Sequence, residues 1–149
     1  FVKENIEDND IDPMSWEWFR RGIFSKPYES LNRVKKIQET QNKKYDVIVR
    51  TRPDLILQKK IKINKPESDC LYTFGGWPKR GKYEVDFFCY GAMKDMETYT
   101  NIHKMYNPLP TKVKKHPYSS ENQLYIYLKK HKINLKYLIT SRGDYECIR

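Results

Sequence analysis

The stretch YDVIVRTRPDLIL, residues 45–57, constrains the fold more than any other part of the chain. Val47, Ile48 and Val49 form an unbroken β-branched core, the mark of a strand covered on both faces, and residues 45–50 are read as that strand. Pro53 then stops it, because the ring fixes φ, removes a backbone donor and biases Arg52 toward extended geometry. A strand that only filled a core would fade into turn residues. This one ends in Arg50, Arg52 and Asp54. Side chains alternate along a strand, so the two arginines share a face, with Asp54 two residues further on. Open α/β sheets keep their sites at such strand ends.

Two guanidinium groups on one side can grip a diphosphate or a carboxylate bidentately. A neighbouring carboxylate can bind a metal, hydrogen-bond sugar hydroxyls, or neutralise one arginine. Internal ion pairs, Arg52 with Asp54 or Arg50 with Asp46, account for the same spacing. The residues alone leave both readings open.

A chain of 149 residues suits one domain with a real core. Residues 1–14 are acidic and poor in apolar groups and are expected to form a flexible segment, leaving 15–149 as a single α/β domain; a short helix is expected near residues 16–21. The D-x-D pairs formed by Asp8, Asp10 and Asp12 follow no hydrophobic strand and are read as solvated carboxylates. The 14% aromatic content, with 12 Tyr, argues against disorder. A net charge of +10 admits a second function class, a basic, Tyr-rich module for nucleic acid or an anionic polysaccharide. The lysines are scattered rather than gathered into a stripe, which fits a solvated surface, and nucleic acid is not the expected partner.

Cys70, Cys89 and Cys147 lack the spacing of a zinc knuckle or a C-x-x-C pair, and His103, His116 and His131 form no ligand pattern. An odd cysteine count fits a reducing compartment, so the expected location is cytoplasmic. No apolar run reaches the ~18 residues that cross a bilayer. The chain opens on Phe1 rather than Met, as a piece of a longer protein would.

Further along, Leu31, Val34 and Ile37 predict a helix capped by Ser30 and ended by the run NKK at 42–44. Residues 61–63 and 71–74 read as short extended pieces, and 75–82 as a Gly/Pro loop carrying Trp77. Residues 85–90 predict a strand ending at Gly91, followed by a helix over 92–106 whose Met93, Met96, Tyr99, Ile102 and Tyr106 face a core. Ser120 with Gln123 matches a capping box opening a helix over 121–130, and 133–139 closes the pattern as a strand. The fold class expected is α/β, with a mixed or mostly parallel sheet flanked by helices.

Taken together, YDVIVRTRPDLIL, VDFFCYGAMKDMETY and SSENQLYIYL resemble a family of glycosyltransferase-like domains of the GT-A type, found in capsule, lipopolysaccharide and large-virus glycan biosynthesis. The match runs over residues 28–138, and its R-[TS]-R-x-D segment is the distinctive part. The resemblance implies transfer of a sugar from a nucleotide-sugar donor to a glycan acceptor. It implies that Arg50, Arg52 and Asp54 lie at the donor-binding edge, and that Asp86 and Glu121 face the cleft as acceptor contacts or general base. It implies a divalent cation, Mg²⁺ or Mn²⁺, for which Asp54 is the candidate ligand. Such domains usually begin with a β-α-β unit that cradles the nucleotide, and no such pattern precedes the matching region here.

Overall fold

A computed structural model describes residues 24–58, 60–75, 84–105, 120–139 and 145–147. The expected acidic segment and its D-x-D pairs, the helix at 16–21, the loop with Trp77, Tyr106 and His116 lie outside the described residues. Three helices and a mixed four-stranded sheet make up most of the described chain.

Helix α1, Ser25–Gln41, begins six residues earlier than the periodicity predicts, its cap position being Phe24 instead of Ser30. Pro27 stands in its first turn, where a missing N–H costs nothing, so the proline opens the helix instead of preceding it. Ser30 is therefore inside the helix and not its cap. The predicted end holds: Asn42 takes a left-handed conformation (φ 49°), and its region returns N–H groups to Gln38 and Glu39. Leu31 is buried, whereas Ile37 is 42% exposed.

Strand β1, Ile48–Thr51, is followed by a turn over 52–54 in which the Leu55 N–H bonds the Arg52 carbonyl, and then by β2, Leu55–Leu57. Segment 60–67 is irregular, so the extended piece expected near 61–63 is not a strand, although Ile61 packs under the sheet. Next come β3, Cys70–Gly75, and β4, Glu84–Gly91. Helix α2, Met93–Thr100, tightens into a 3-10 turn over Asn101–Lys104, dividing the single helix expected at 92–106. Helix α3, Ser120–Lys130, turns directly into β5, Asn134–Ile139, through a left-handed Lys132. Ser120 is the first helical residue, which moves the cap position outside the described residues. Strand β6, Tyr145–Cys147, pairs with β2 in a separate antiparallel ribbon.

The main sheet has the order β1-β4-β3-β5. β4 is antiparallel to both neighbours, and only β3 with β5 is parallel. The sheet is mixed, and its parallel content is smaller than the β-branched run suggested. Among the described residues β1 is an edge strand, and with Val49 43% exposed it is not covered on both faces.

Alternation along the strands divides two apolar layers. Ile48, Leu71 and Cys89 face the helices, where Phe24 and Leu31, Met96 and Tyr99, and Leu124 and Leu128 complete the larger core. Phe74, Phe88 and Tyr90 point the other way and are covered by Leu55, Ile61 and Leu138. All three described helices thus contribute to one face, and strand and loop residues cover the second. Tyr72 stacks on Tyr90 (4.6 Å) and Phe74 on Phe88 (4.7 Å) across β3 and β4, a cross-strand arrangement that sets the register.

Candidate functional site

Because β1 and β3 each run antiparallel to β4, they run in the same direction, and β5 follows β3. The C-terminal ends of these three strands therefore share one side of the sheet. Arg52 and Asp54 emerge from β1 there. β4 enters from that side, and Asp86 stands two residues before Phe88, the β4 residue that pairs with Thr51 at the end of β1. α3 closes onto the start of β5, the Ile133 N–H bonding the Leu128 carbonyl, and it packs Leu124 and Leu128 over the sheet. Its first turn, with Glu121, is thereby directed to the same end.

A cleft of about 880 Å³ opens beside β1. The run 48–54 lines it without interruption, α1 adds Lys26, Leu31 and Val34, and α2 adds Met96 and Thr100. Its size falls within the usual range for ligand sites. Arg50, Arg52 and Asp54 all line this cleft; Glu121 does not, and the side chain of Asp86 lies outside the described residues.

The two arginines are held differently. Arg50 is half-buried on the helix side of β1, and its guanidinium lies over the Tyr99 ring, 5.6 Å from the centroid. Arg52 stands beyond the strand and grips Asp54 bidentately, Nε to Oδ1 at 2.9 Å and Nη2 to Oδ2 at 2.6 Å. This is one of the two ion pairs that the sequence allowed. The Arg52 hydrogen bonds hold the Asp54 carboxyl below the usual carboxylate range. Both side chains are about a third exposed, so an incoming anion can compete for Arg52. Around Asp54 the described residues do not assemble a cation site: its carboxylate oxygens face Arg52, and among the described residues no group of three or more His, Cys, Asp or Glu could hold a metal ion.

Several contributors to this region were not singled out in the sequence. Met96 and Thr100 sit on a helix read only from its periodicity, and nothing in that signal says that they wall a cleft or that Tyr99 beside them lies under Arg50. Lys26 is one of many scattered lysines. Asn122 and Gln123 follow Glu121 and are buried, at 1% and 0% exposure, so the first turn of α3 faces the interior with polar side chains. A run of three polar residues opening an apolar helix is the signal that could have flagged it. On the opposite side of the sheet, Asp95 is buried in the first turn of α2, Asp69 pairs with Lys94, and Glu67 pairs with Lys136.

Comparison with protein-family models, curated proteins and solved structures finds no match to this chain. Among the described residues no helix is long and apolar enough to cross a membrane, and Cys70 and Cys89 are buried thiols not joined in a disulfide.

Proposed function

We propose that the chain is a glycosyltransferase-like domain that transfers a sugar from a nucleotide-sugar donor to a glycan acceptor. One observation carries the reading: Arg50, Arg52 and Asp54 line a single ligand-sized cleft at the end of an α/β strand. In this reading Arg52 exchanges its bond to Asp54 for the donor's diphosphate, which a guanidinium fork matches in geometry. Asp54, once released, hydrogen-bonds sugar hydroxyls or serves as the ligand of the Mg²⁺ or Mn²⁺ that the resemblance implies. Glu121 and Asp86, brought to the same side of the sheet by topology, are the proposed acceptor contacts or general base. The GT-A architecture and a reducing, cytoplasmic location belong to the same proposal.

The test is thermal. A nucleoside diphosphate at about a hundred times its Kd should raise Tm by roughly 5 to 10 °C. Arg52→Ala should abolish that rise while leaving the ligand-free Tm nearly unchanged, because an exposed ion pair contributes little. If neither nucleoside diphosphates nor nucleotide-sugars move Tm, the reading is lost.

A basic module for nucleic acid or anionic polysaccharide is the second reading. It needs exposed tyrosine faces for stacking; among the described residues Tyr90, Tyr99 and Tyr127 are buried and Tyr28 and Tyr72 stack on His103 and Tyr90, while Tyr45 and Tyr137 are 37% and 46% exposed. A salt titration separates the two, since phosphate-backbone binding weakens steeply with ionic strength.

A further inference from the structure

Tyr28 of α1 stacks on His103 of the 3-10 turn that follows α2, the ring centroids 3.8 Å apart and the planes 26° from parallel. His103 Nδ1 lies 3.0 Å from the Thr100 carbonyl oxygen, and because a carbonyl only accepts, Nδ1 carries the proton. The backbone thus orients the imidazole, and the imidazole holds the phenol.

Positive charge gathers round that phenol. Lys104 Nζ stands 5.2 Å from the Tyr28 ring centroid. Asn32 and then Lys35 follow Tyr28 at spacings of four and three, which keeps all three on one side of α1. Asn32 and Lys104, with Lys35 further off, hold the Tyr28 hydroxyl below the usual tyrosine range, so their N–H groups are turned toward its oxygen. Lys35 is bridged to Glu97 at 2.7 Å, but an ammonium has three N–H groups and that bond takes one.

This cluster is separate from the cleft. α1 lines the cleft through Lys26, Pro27, Ser30, Leu31 and Val34, whereas Tyr28, Asn32 and Lys35 lie toward α2 and its 3-10 turn. A phenol whose oxygen faces N–H donors turns its own proton outward. The seam then offers an O–H and ammonium N–H groups, with two lysines against the single carboxylate of Glu97. Ammonium groups are point charges without the planar fork that matches a carboxylate, and phosphate is an anion they take well.

We propose that Tyr28, Asn32, Lys35 and Lys104 form a second anion site, which takes one phosphate group, either the inorganic ion or a phosphomonoester carried on a sugar. Tyr28 and the lysines donate to the phosphate oxygens, and the His103 ring keeps the phenol in place.

The experiment is a phosphate titration of the full chain at neutral pH and constant ionic strength, read by NMR on protein isotope-labelled at tyrosine Cζ. The Tyr28 signal is identified by its loss in Tyr28→Phe. Inorganic phosphate should move that signal along a saturating curve with a Kd of roughly 1 to 10 mM. It should also shift Tyr28 ionisation to higher pH, because a bound anion opposes the phenolate. Lys104→Ala should weaken binding roughly three- to tenfold, and Arg52→Ala should leave it unchanged. Glucose phosphate is the second probe: tighter binding than inorganic phosphate assigns the site to a sugar-borne group, and weaker binding assigns it to the inorganic ion. A straight-line drift of the signal, an equal response to chloride, or an unchanged Kd in Lys104→Ala overturns the proposal. Loss of the response in Arg52→Ala overturns it too, since the phosphate would then be bound in the cleft.

Discussion

Asp95 is 1% exposed, and among the described residues neither of its carboxylate oxygens has a hydrogen-bond partner. Burial pushes its pKa up; the Cys70 backbone N–H opposes this from beyond hydrogen-bond geometry, and the Asp69 carboxylate adds to it. A carboxyl whose folded-state pKa is raised contributes stability that is present below its unfolded value and is lost as pH rises through the folded one. Asp95→Asn should therefore be more stable than the parent at neutral pH by about 1 kcal/mol, read as roughly 2 to 4 °C in Tm, and the difference should shrink on acidification. Asp54 behaves oppositely. Its pKa is lowered by Arg52, so its contribution is present above the ordinary carboxylate range and is lost as pH falls through the lowered value. In Arg52→Ala that acid-side loss should disappear from a pH series of melts. Asp54 was legible from its place after Pro53. Asp95 was not: a carboxylate in a helix's first turn reads as charge complementarity with the macrodipole, and only tertiary packing buries it.

At the scale of elements, the row formed by Ile48, Gly91 and Leu71 ties β1, β4 and β3 together. A Cβ on Gly91 would stand 2.6 Å from Leu71 Cδ2 and 3.3 Å from the Cys70 carbonyl oxygen, and Leu71 is itself fully buried. Gly91→Ala should cost roughly 1 to 3 kcal/mol, seen as a lower urea midpoint with an unchanged m-value. Pairing it with Leu71→Ala should relieve part of that cost, so the two effects should fall short of additive. Leu128 lines a small apolar void with Leu71, Cys89 and Leu124, and Leu128→Ala enlarges it, at a cost of about 2 to 5 kcal/mol by the same measurement. The existence of α1, α2, α3, β3, β4 and β5 was legible from period and turn residues. Their ends were less so, because Pro27 marks a first turn as readily as it marks a loop, and because the helix following Gly91 tightens at Asn101 with no change in its apolar spacing.

For the whole molecule, the positive charge is spread over a folded surface, and some of the lysines are spent locally. Lys35 pairs with Glu97, Lys94 with Asp69, and Lys136 with Glu67. Binding to duplex DNA at low salt should accordingly be weak and without a steep salt slope; a slope of several counterions in a titration would favour the nucleic-acid reading instead. The sheet buries one face under helices and the other under strand and loop residues, which leaves β1 as the edge that borders the cleft. The cleft runs along β1 to the Arg50–Asp54 segment, so donor binding is predicted to act on that one region of the molecule.

The sequence by itself determined where β1 must stop and which residues crowd its end, because proline cannot continue a ladder and side-chain alternation is a local rule. It also determined the inward positions of α2, through a period that any partner surface would read. Tertiary structure alone decided that β1 lies at an edge, that Arg52 turns to Asp54 while Arg50 lies against Tyr99, and that Asp95, Asn122 and Gln123 are shut away from water. Those outcomes depend on which strands pair and which faces are covered. Contacts of that kind join residues far apart in the chain, and no local pattern of residues specifies them.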